Sequence, residues 1–145
     1  ELITNDLQYD SRSAFTLSLN HRETYTGITD RDRALTTRRF GELAGEVYEL
    51  SNSEAMEALG KEFRTPGHIP LCRESPGGLS KRQGHTELAV AIARLSGNIP
   101  CTIGAEMLDP DGDGALSLRE ARKYAEEHGI PMITGNDIMK SMDMV

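Results

Sequence analysis

The hydrophobic pattern changes period within the first fifty residues. In AFTLSL (Ala14–Leu19), Phe15, Leu17 and Leu19 alternate with Thr16 and Ser18, the period-two signature of a half-buried strand. TYTGITDRDRA follows, rich in Thr, Asp and Gly, and reads as a loop. Leu35, Phe40, Leu43, Ala44 and Val47 then recur at helical spacing, which predicts a helix between Thr36 and Leu50. SNSE at Ser51–Glu54 is a capping-box pattern that opens a short helix ending near Gly60. FRTPGHIPLCRESPGGLSKRQGH, with three prolines and four glycines, predicts turns around a short strand near Ile69–Cys72.

Further along, TELAVAIARLSG is the clearest helix, starting at Thr86 and stopping at Gly97. IPCTIGAEML is short, apolar and bounded by proline, and reads as a buried strand. SLREARKYAEEHG returns to helical spacing, with Ser117 as N-cap, Glu120 closing a capping box and Gly129 as the stop. IPMIT reads as a last strand, after which Asn136 or Asp137 can cap a final short helix. Helix, strand, helix, strand, helix with short connections predicts βα units. The expected class is α+β: a mixed twisted sheet flanked by helices in three layers, formed by residues 1–145 as a single domain. No internal repeat is visible.

A chain of 145 residues is long enough to bury a core. Its net charge of −7 argues against nucleic acid and anionic membranes as partners. With 5% aromatic residues and no Trp, a base-stacking platform is poorly supplied too. No apolar run approaches the ~20 residues that span a bilayer, and no signal-peptide pattern opens the sequence. Cys72 and Cys101 are expected to be reduced and buried, and the location cytoplasmic. The opening ELITNDLQYDSRSAF, from Glu1, reads as a piece of a longer protein.

DPDGDGALSLRE (Asp109–Glu120) fits the EF-hand loop, with Asp at positions 1, 3 and 5, Gly at 6 and Glu at 12. A calcium-binding module is therefore an alternative. Against it, the segment that should be the entering helix contains Pro100, Thr102, Ile103 and Gly104, all poor helix formers. Ser117 and Glu120 already have a capping role, and Asp109–Gly112 makes an ordinary turn. EF-hands come in pairs, and no second loop is present.

Other residues carry candidate chemistry. KRQGHTE gathers Arg82, Gly84, His85, Thr86 and Glu87 at the mouth of the clearest helix, where backbone N–H groups favour anions. Arg82 and the Thr86 hydroxyl would add donors, and His85 can ligate a metal or move a proton. Helix capping by Thr86 with a solvated Arg82 and His85 explains the same letters. Gly67-His68 lies in a turn-rich stretch, where His68 is either an acid–base group or a solvated ring. Glu106 sits in an apolar segment, either functional with a raised pKa or facing solvent at a strand end. Thr26, Gly27, Thr29 and Asp30 form a polar loop after the first strand, which a turn and helix cap also explain. Taken together, these groups suit a phosphorylated substrate undergoing proton transfers. A phosphate-ligand module without turnover is the competing class.

NHRETYTGITDRDRA, FRTPGHIPL, RQGHTELAVAIARLSG and AEMLDPDGDGALS with EARKYAEEHGIPMIT occur in order from about Tyr9 to Asp137. Together they resemble 3,4-dihydroxy-2-butanone 4-phosphate synthase of the archaeal type. The resemblance implies that family's fold and a magnesium- or manganese-dependent lyase of riboflavin biosynthesis. It would convert D-ribulose 5-phosphate into L-3,4-dihydroxy-2-butanone 4-phosphate and formate. It implies that His85 is a metal ligand and contacts substrate, while Arg82, Gln83, Gly84 and Thr86 hold the substrate and its phosphate. His68 and Glu106 would be the essential acid–base pair, with Glu106 and Thr26 also touching substrate. A homodimer with active sites near the subunit interface is implied too.

One departure stands out. Members of that family carry an acidic loop of the kind DxREGExD, which supplies a carboxylate metal ligand, and this sequence has none. TDRDRA matches a different family segment. The chain thus reads as a C-terminal portion, inactive alone unless a separate N-terminal segment supplies that loop.

Overall fold

The structure, a computed structural model, describes residues 14–143. Most of the ELITNDLQYDSRSAF opening therefore lies outside the described residues. The chain divides into two compact units, Glu1–Thr102 and Ile103–Val145.

In the first unit, strand β1 (Phe15–His21) leads through a loop to helix α1 (Asp30–Glu46), helix α2 (Asn52–Glu62) and strand β2 (Phe63–Cys72). A 3-10 turn at Gly78–Ser80 precedes helix α3 (His85–Leu95). Helix α1 starts earlier than its apolar spacing predicts. Thr29 caps it by accepting the Asp32 N–H at 3.2 Å, so TDRDRA after its Thr is helix rather than loop. Helix α2 opens as expected: the Ser51 hydroxyl and the Glu54 carboxylate cap each other's backbone. Helix α3 is capped by the backbone of Gly84 and begins at His85, one residue before the expected start, so Thr86 lies inside its first turn rather than capping it.

β1 and β2 pair antiparallel. The register runs Leu19 to Ile69 and then Asn20 to Arg64, so one step along β1 skips residues 65–68 of β2. Thr65, Pro66, Gly67 and His68 are looped out of the ladder as a bulge inside a strand, where the Pro and Gly content predicts a turn. Thr65 Oγ1 donates to the Ser18 carbonyl at 2.9 Å, and the Gly67 N–H donates to Ser18 Oγ at 3.2 Å. These bonds hold the bulge down on β1.

The core of this unit is Leu19, Leu43 and Phe63, with Phe40, Val47, Ala58, Leu59 and Leu71 packed around it. The Phe40 and Phe63 rings meet edge-on at 5.9 Å. Buried polar groups tie the elements together: the His21 N–H donates to Thr36 Oγ1 at 3.0 Å. Arg39 grips Glu62 through Nη2 at 2.8 and 2.9 Å.

The second unit holds helix α4 (Leu118–Glu127) and helix α5 (Gly135–Ser141). Ser117 caps α4 by accepting the Glu120 N–H at 3.3 Å, but Glu120 pairs with Arg119 rather than closing a box. Thr134, not Asn136 or Asp137, caps α5, and Asp137 completes its capping box.

The α+β class holds, but the sheet is smaller than expected. Among the described residues it has two antiparallel strands and no mixed ladder. The apolar segment IPCTIGAEML makes one isolated bridge, Leu108 to Ala115, and Ile103 and Leu108 are exposed. IPMIT likewise forms no strand, and Ile130 and Ile133 are exposed. A strand needs a partner for its N–H and C=O groups, and composition alone does not supply one. Cys72 is exposed rather than buried, and Cys101 is half-buried, its thiol pushed up by burial. No described helix is long and apolar enough to cross a membrane.

Candidate functional site

Two groupings of the singled-out residues form within the first unit. The first surrounds the β2 bulge. Gly67 lies so close to β1 that a Cβ there would stand 2.0 Å from the Leu19 carbonyl carbon. Only glycine allows this approach, and it brings the next residue, His68, over Asn20. The His68 N–H donates to Asn20 Oδ1 at 2.9 Å, and its ring nitrogen Nδ1 lies 3.1 Å from Asn20 Nδ2. Asn20 is 4% exposed, whereas His68 as a residue is exposed. The bulge therefore presents an imidazole to solvent while gripping its inner edge.

Thr26 joins the same grouping through the loop before α1. Asp32 turns its carboxylate back from the helix, and Oδ2 accepts the Gly27 N–H at 2.8 Å and the Thr26 N–H at 3.1 Å. The Gly27 bond first, then burial acting in the opposite sense, then the Thr26 bond set its acidity; the net is a carboxyl below its ordinary range. Gly27 in turn packs against the Asn20 amide. Thr26 itself is exposed.

The second grouping is the mouth of α3. Glu87 is 1% exposed. Its Oε1 accepts the Ser75 N–H at 2.8 Å and its Oε2 accepts from Arg82 Nη1 at 2.6 Å. Burial opposes its ionisation, but the Ser75 N–H and then the Arg82 guanidinium outweigh it and hold the carboxyl below its ordinary range. The guanidinium lies against Gly84, where a Cβ would meet Arg82 Nη1 at 2.1 Å. Gln83 and His85 are exposed, and Thr86 is partly covered. The motif is thus a fixed arginine, a helix N-terminus and an open histidine, an arrangement suited to binding an anion.

Glu106 lies in the second unit, exposed, in a segment with neither helix nor strand. Asp109, Asp111 and Asp113 are exposed as well. Asp109 Oδ1 accepts the Asp111 N–H at 3.0 Å, the ordinary turn expected, and no helix enters it. That outcome removes the EF-hand architecture. A groove of about 590 Å³ lined by Phe40, Leu43, Val47, Tyr48, Met56 and Leu59 is apolar and holds none of the candidate residues.

Two residues central to these groupings, Asn20 and Asp32, carry no role in the sequence analysis, and Glu87, though named at the helix mouth, is not read there as the buried partner of Arg82. Thr29-x-x-Asp32 has the spacing of a cap and its N3 partner, which marks Asp32 as ordered. Glu87 shares a buried helical stripe with Ala91, four residues on.

The fold and these groupings define an α+β protein with an imidazole on a strand bulge and an anion-suited helix mouth. A family model described as 3,4-dihydroxy-2-butanone 4-phosphate synthase matches residues 1–141, and the chain belongs to that family. It is 46% identical over 136 residues to a 3,4-dihydroxy-2-butanone 4-phosphate synthase of Methanosarcina mazei, covering 94% of this chain and 53% of that protein. The corresponding protein of Archaeoglobus fulgidus is 47% identical, with 94% and 56% covered. A crystal structure of 3,4-dihydroxy-2-butanone 4-phosphate synthase from Candida albicans superposes with a TM-score of 0.70 at 32% identity, covering 90% of this chain and 60% of that one. The chain thus spans about half the length of the curated relatives it matches.

Proposed function

We propose that this chain is the part of a riboflavin-pathway lyase that carries its anion-binding helix and one of its acid–base groups. The reaction is conversion of D-ribulose 5-phosphate to L-3,4-dihydroxy-2-butanone 4-phosphate and formate. The observation that carries the reading is the RQGHTE segment at the mouth of α3, where a buried Glu87 fixes Arg82 beside the helix N-terminus. In this reading Arg82, Gln83, Gly84 and Thr86 hold the phosphorylated substrate, and Thr26 lines the same ligand. His68, gripped from below by Asn20, handles a proton or a developing charge at its exposed edge. Glu106 is the second acid–base group. A homodimer in the cytoplasm belongs to the same reading.

Magnesium or manganese enters through His85, the motif residue able to ligate a cation and a further contact for substrate. Among the described residues no group of three or more His, Cys, Asp or Glu side chains could hold a metal ion. The described residues therefore do not fit a complete metal site. The family's acidic loop has no counterpart in this sequence, and the reading assigns it to a separate or fused N-terminal segment.

Formate release from ribulose 5-phosphate tests the assignment, measured with the chain alone and with the chain fused to the N-terminal half of an archaeal relative. The expected result is no turnover by the chain alone, turnover by the fusion, and its loss in His85→Ala. A folded fusion that releases no formate would overturn the reading.

A further inference from the structure

The contact between Asn20 and His68 determines more than the position of the ring. The His68 backbone N–H needs an acceptor, so the atom 2.9 Å away must be the Asn20 amide oxygen, and this fixes which way round the amide lies. The amide nitrogen then stands 3.1 Å from His68 Nδ1, with the oxygen 3.2 Å from the same atom. Two neutral tautomers of the ring compete for this arrangement. With the proton on Nε2, the Nδ1 lone pair accepts from the amide N–H at 3.1 Å. With the proton on Nδ1, the second lone pair of the amide oxygen can accept it at 3.2 Å, but the amide N–H₂ loses the acceptor in front of it. Asn20 is 4% exposed, with its amide packed close against Gly27, so no solvent stands in for the lost acceptor. A buried donor left unmet shifts such an equilibrium by roughly tenfold or more.

We propose that Asn20 is a positioning residue that locks His68 as the Nε2–H tautomer, so that the exposed edge of the ring offers a hydrogen-bond donor rather than a lone pair. The inference rests on the reading of His68 given under the proposed function and sharpens it. A neutral Nε2–H donor suits an oxygen that gains negative charge, such as the enediolate oxygen formed when a ketose loses a proton beside its carbonyl. It does not suit removal of that proton, which then falls to another group.

Nitrogen-15 NMR of the imidazole rings in the purified chain tests this, in alkaline buffer where neutral rings are observed. His68 is assigned by the loss of its signals in His68→Gln. In the unsubstituted chain, His68 Nδ1 is expected to resonate as a lone-pair nitrogen and Nε2 as a protonated one. Asn20→Asp removes the donor and supplies a second acceptor, so it should exchange the two. A protonated Nδ1 in the unsubstituted chain, an average showing no preference, or an unchanged spectrum in a folded Asn20→Asp would each overturn the proposal. If Asn20→Asp does not fold, the unsubstituted spectrum decides alone. No substrate is present in these spectra, so a failure of the lyase reading would show separately, as a fusion without formate release.

Discussion

Arg82 and Glu87 close a ring across the first turn of α3, Nη1 to Oε2 at 2.6 Å, and the carboxylate is almost fully buried. Its other oxygen takes the Ser75 N–H at 2.8 Å, so one residue links the arginine, the helix and the segment after β2. Glu87→Gln keeps the shape but replaces one acceptor oxygen by a donor, which must then face either the guanidinium or the Ser75 N–H. The expected loss is about 2–4 kcal/mol, between a charged hydrogen bond and a broken buried pair. Urea unfolding reads it as a lower midpoint at an unchanged slope; an unchanged midpoint would remove Glu87 from its linking role.

The same carboxylate makes stability depend on acid. Its folded-state pKa lies below the ordinary glutamate value of 4.5, despite the opposing effect of burial, through the Ser75 N–H and Arg82. A depressed carboxyl contributes stability that is present above its unfolded value and lost as pH falls through the folded one. Asp32, lowered from 3.8 chiefly by the Gly27 N–H against its own burial, acts in the same direction. Stability should therefore be level above pH 4.5 and decline below it, with the Glu87→Gln curve flatter in that window than the parent. Circular dichroism at fixed urea across pH measures the difference.

Gly67→Ala tests the bulge. The added methyl would stand 2.0 Å from the Leu19 carbonyl carbon and 2.3 Å from the Asn20 nitrogen, both backbone atoms that cannot turn aside. Bulge and strand must separate, at a cost of about 1–3 kcal/mol. Separation also breaks the His68 N–H bond to Asn20, so hydrogen exchange at the His68 amide should quicken more than at Phe63, which sits in the core. Equal effects at the two amides would mean that the bulge is not seated on β1 as described.

Much of this arrangement is legible in the letters, and the failures have physical causes. Alternation from Phe15 to Leu19 finds β1, SNSE finds α2, and the stop at Gly97 bounds α3, because these signals are local. The half-buried face that the alternation implies does not hold, since Phe15 and Leu17 are exposed and burial falls at the end of the strand, from Leu19 to His21. Asn20 should face solvent by the same alternation. It is buried because the register skips four residues of β2 at that point, and such a skip depends on a partner strand forty-odd residues away. For the same reason the apolar run at Ile99–Leu108 misleads: its composition suits a strand, but strand formation is decided by a neighbour. RQGHTE is legible as a helix mouth suited to anions, while the inward pairing of Arg82 with Glu87 shows only once the helix is wound. Asn20 and Asp32, which the sequence does not single out, are buried and hold exposed candidates such as His68 and Thr26 in place from beneath.

Asp32 is such a residue, and the loop carrying Thr26 should depend on it. One oxygen, Oδ2, collects the N–H groups of Thr26 and Gly27 together with the Thr26 hydroxyl at 3.4 Å. Among the described residues the N–H groups of Thr26 and Gly27 make no helix or ladder bond, so the carboxylate is their anchor. Asp32→Asn removes the charge and halves the acceptor capacity while leaving the Thr29 cap on the Asp32 backbone intact. The helix should then survive while the loop loosens. Amide exchange at Gly27 is expected to speed up about tenfold, the worth of one charge-assisted bond, with exchange inside α1 unchanged. If α1 and the loop loosened together, Asp32 would be acting through the helix rather than on the loop, and Thr26 would owe its position to something else.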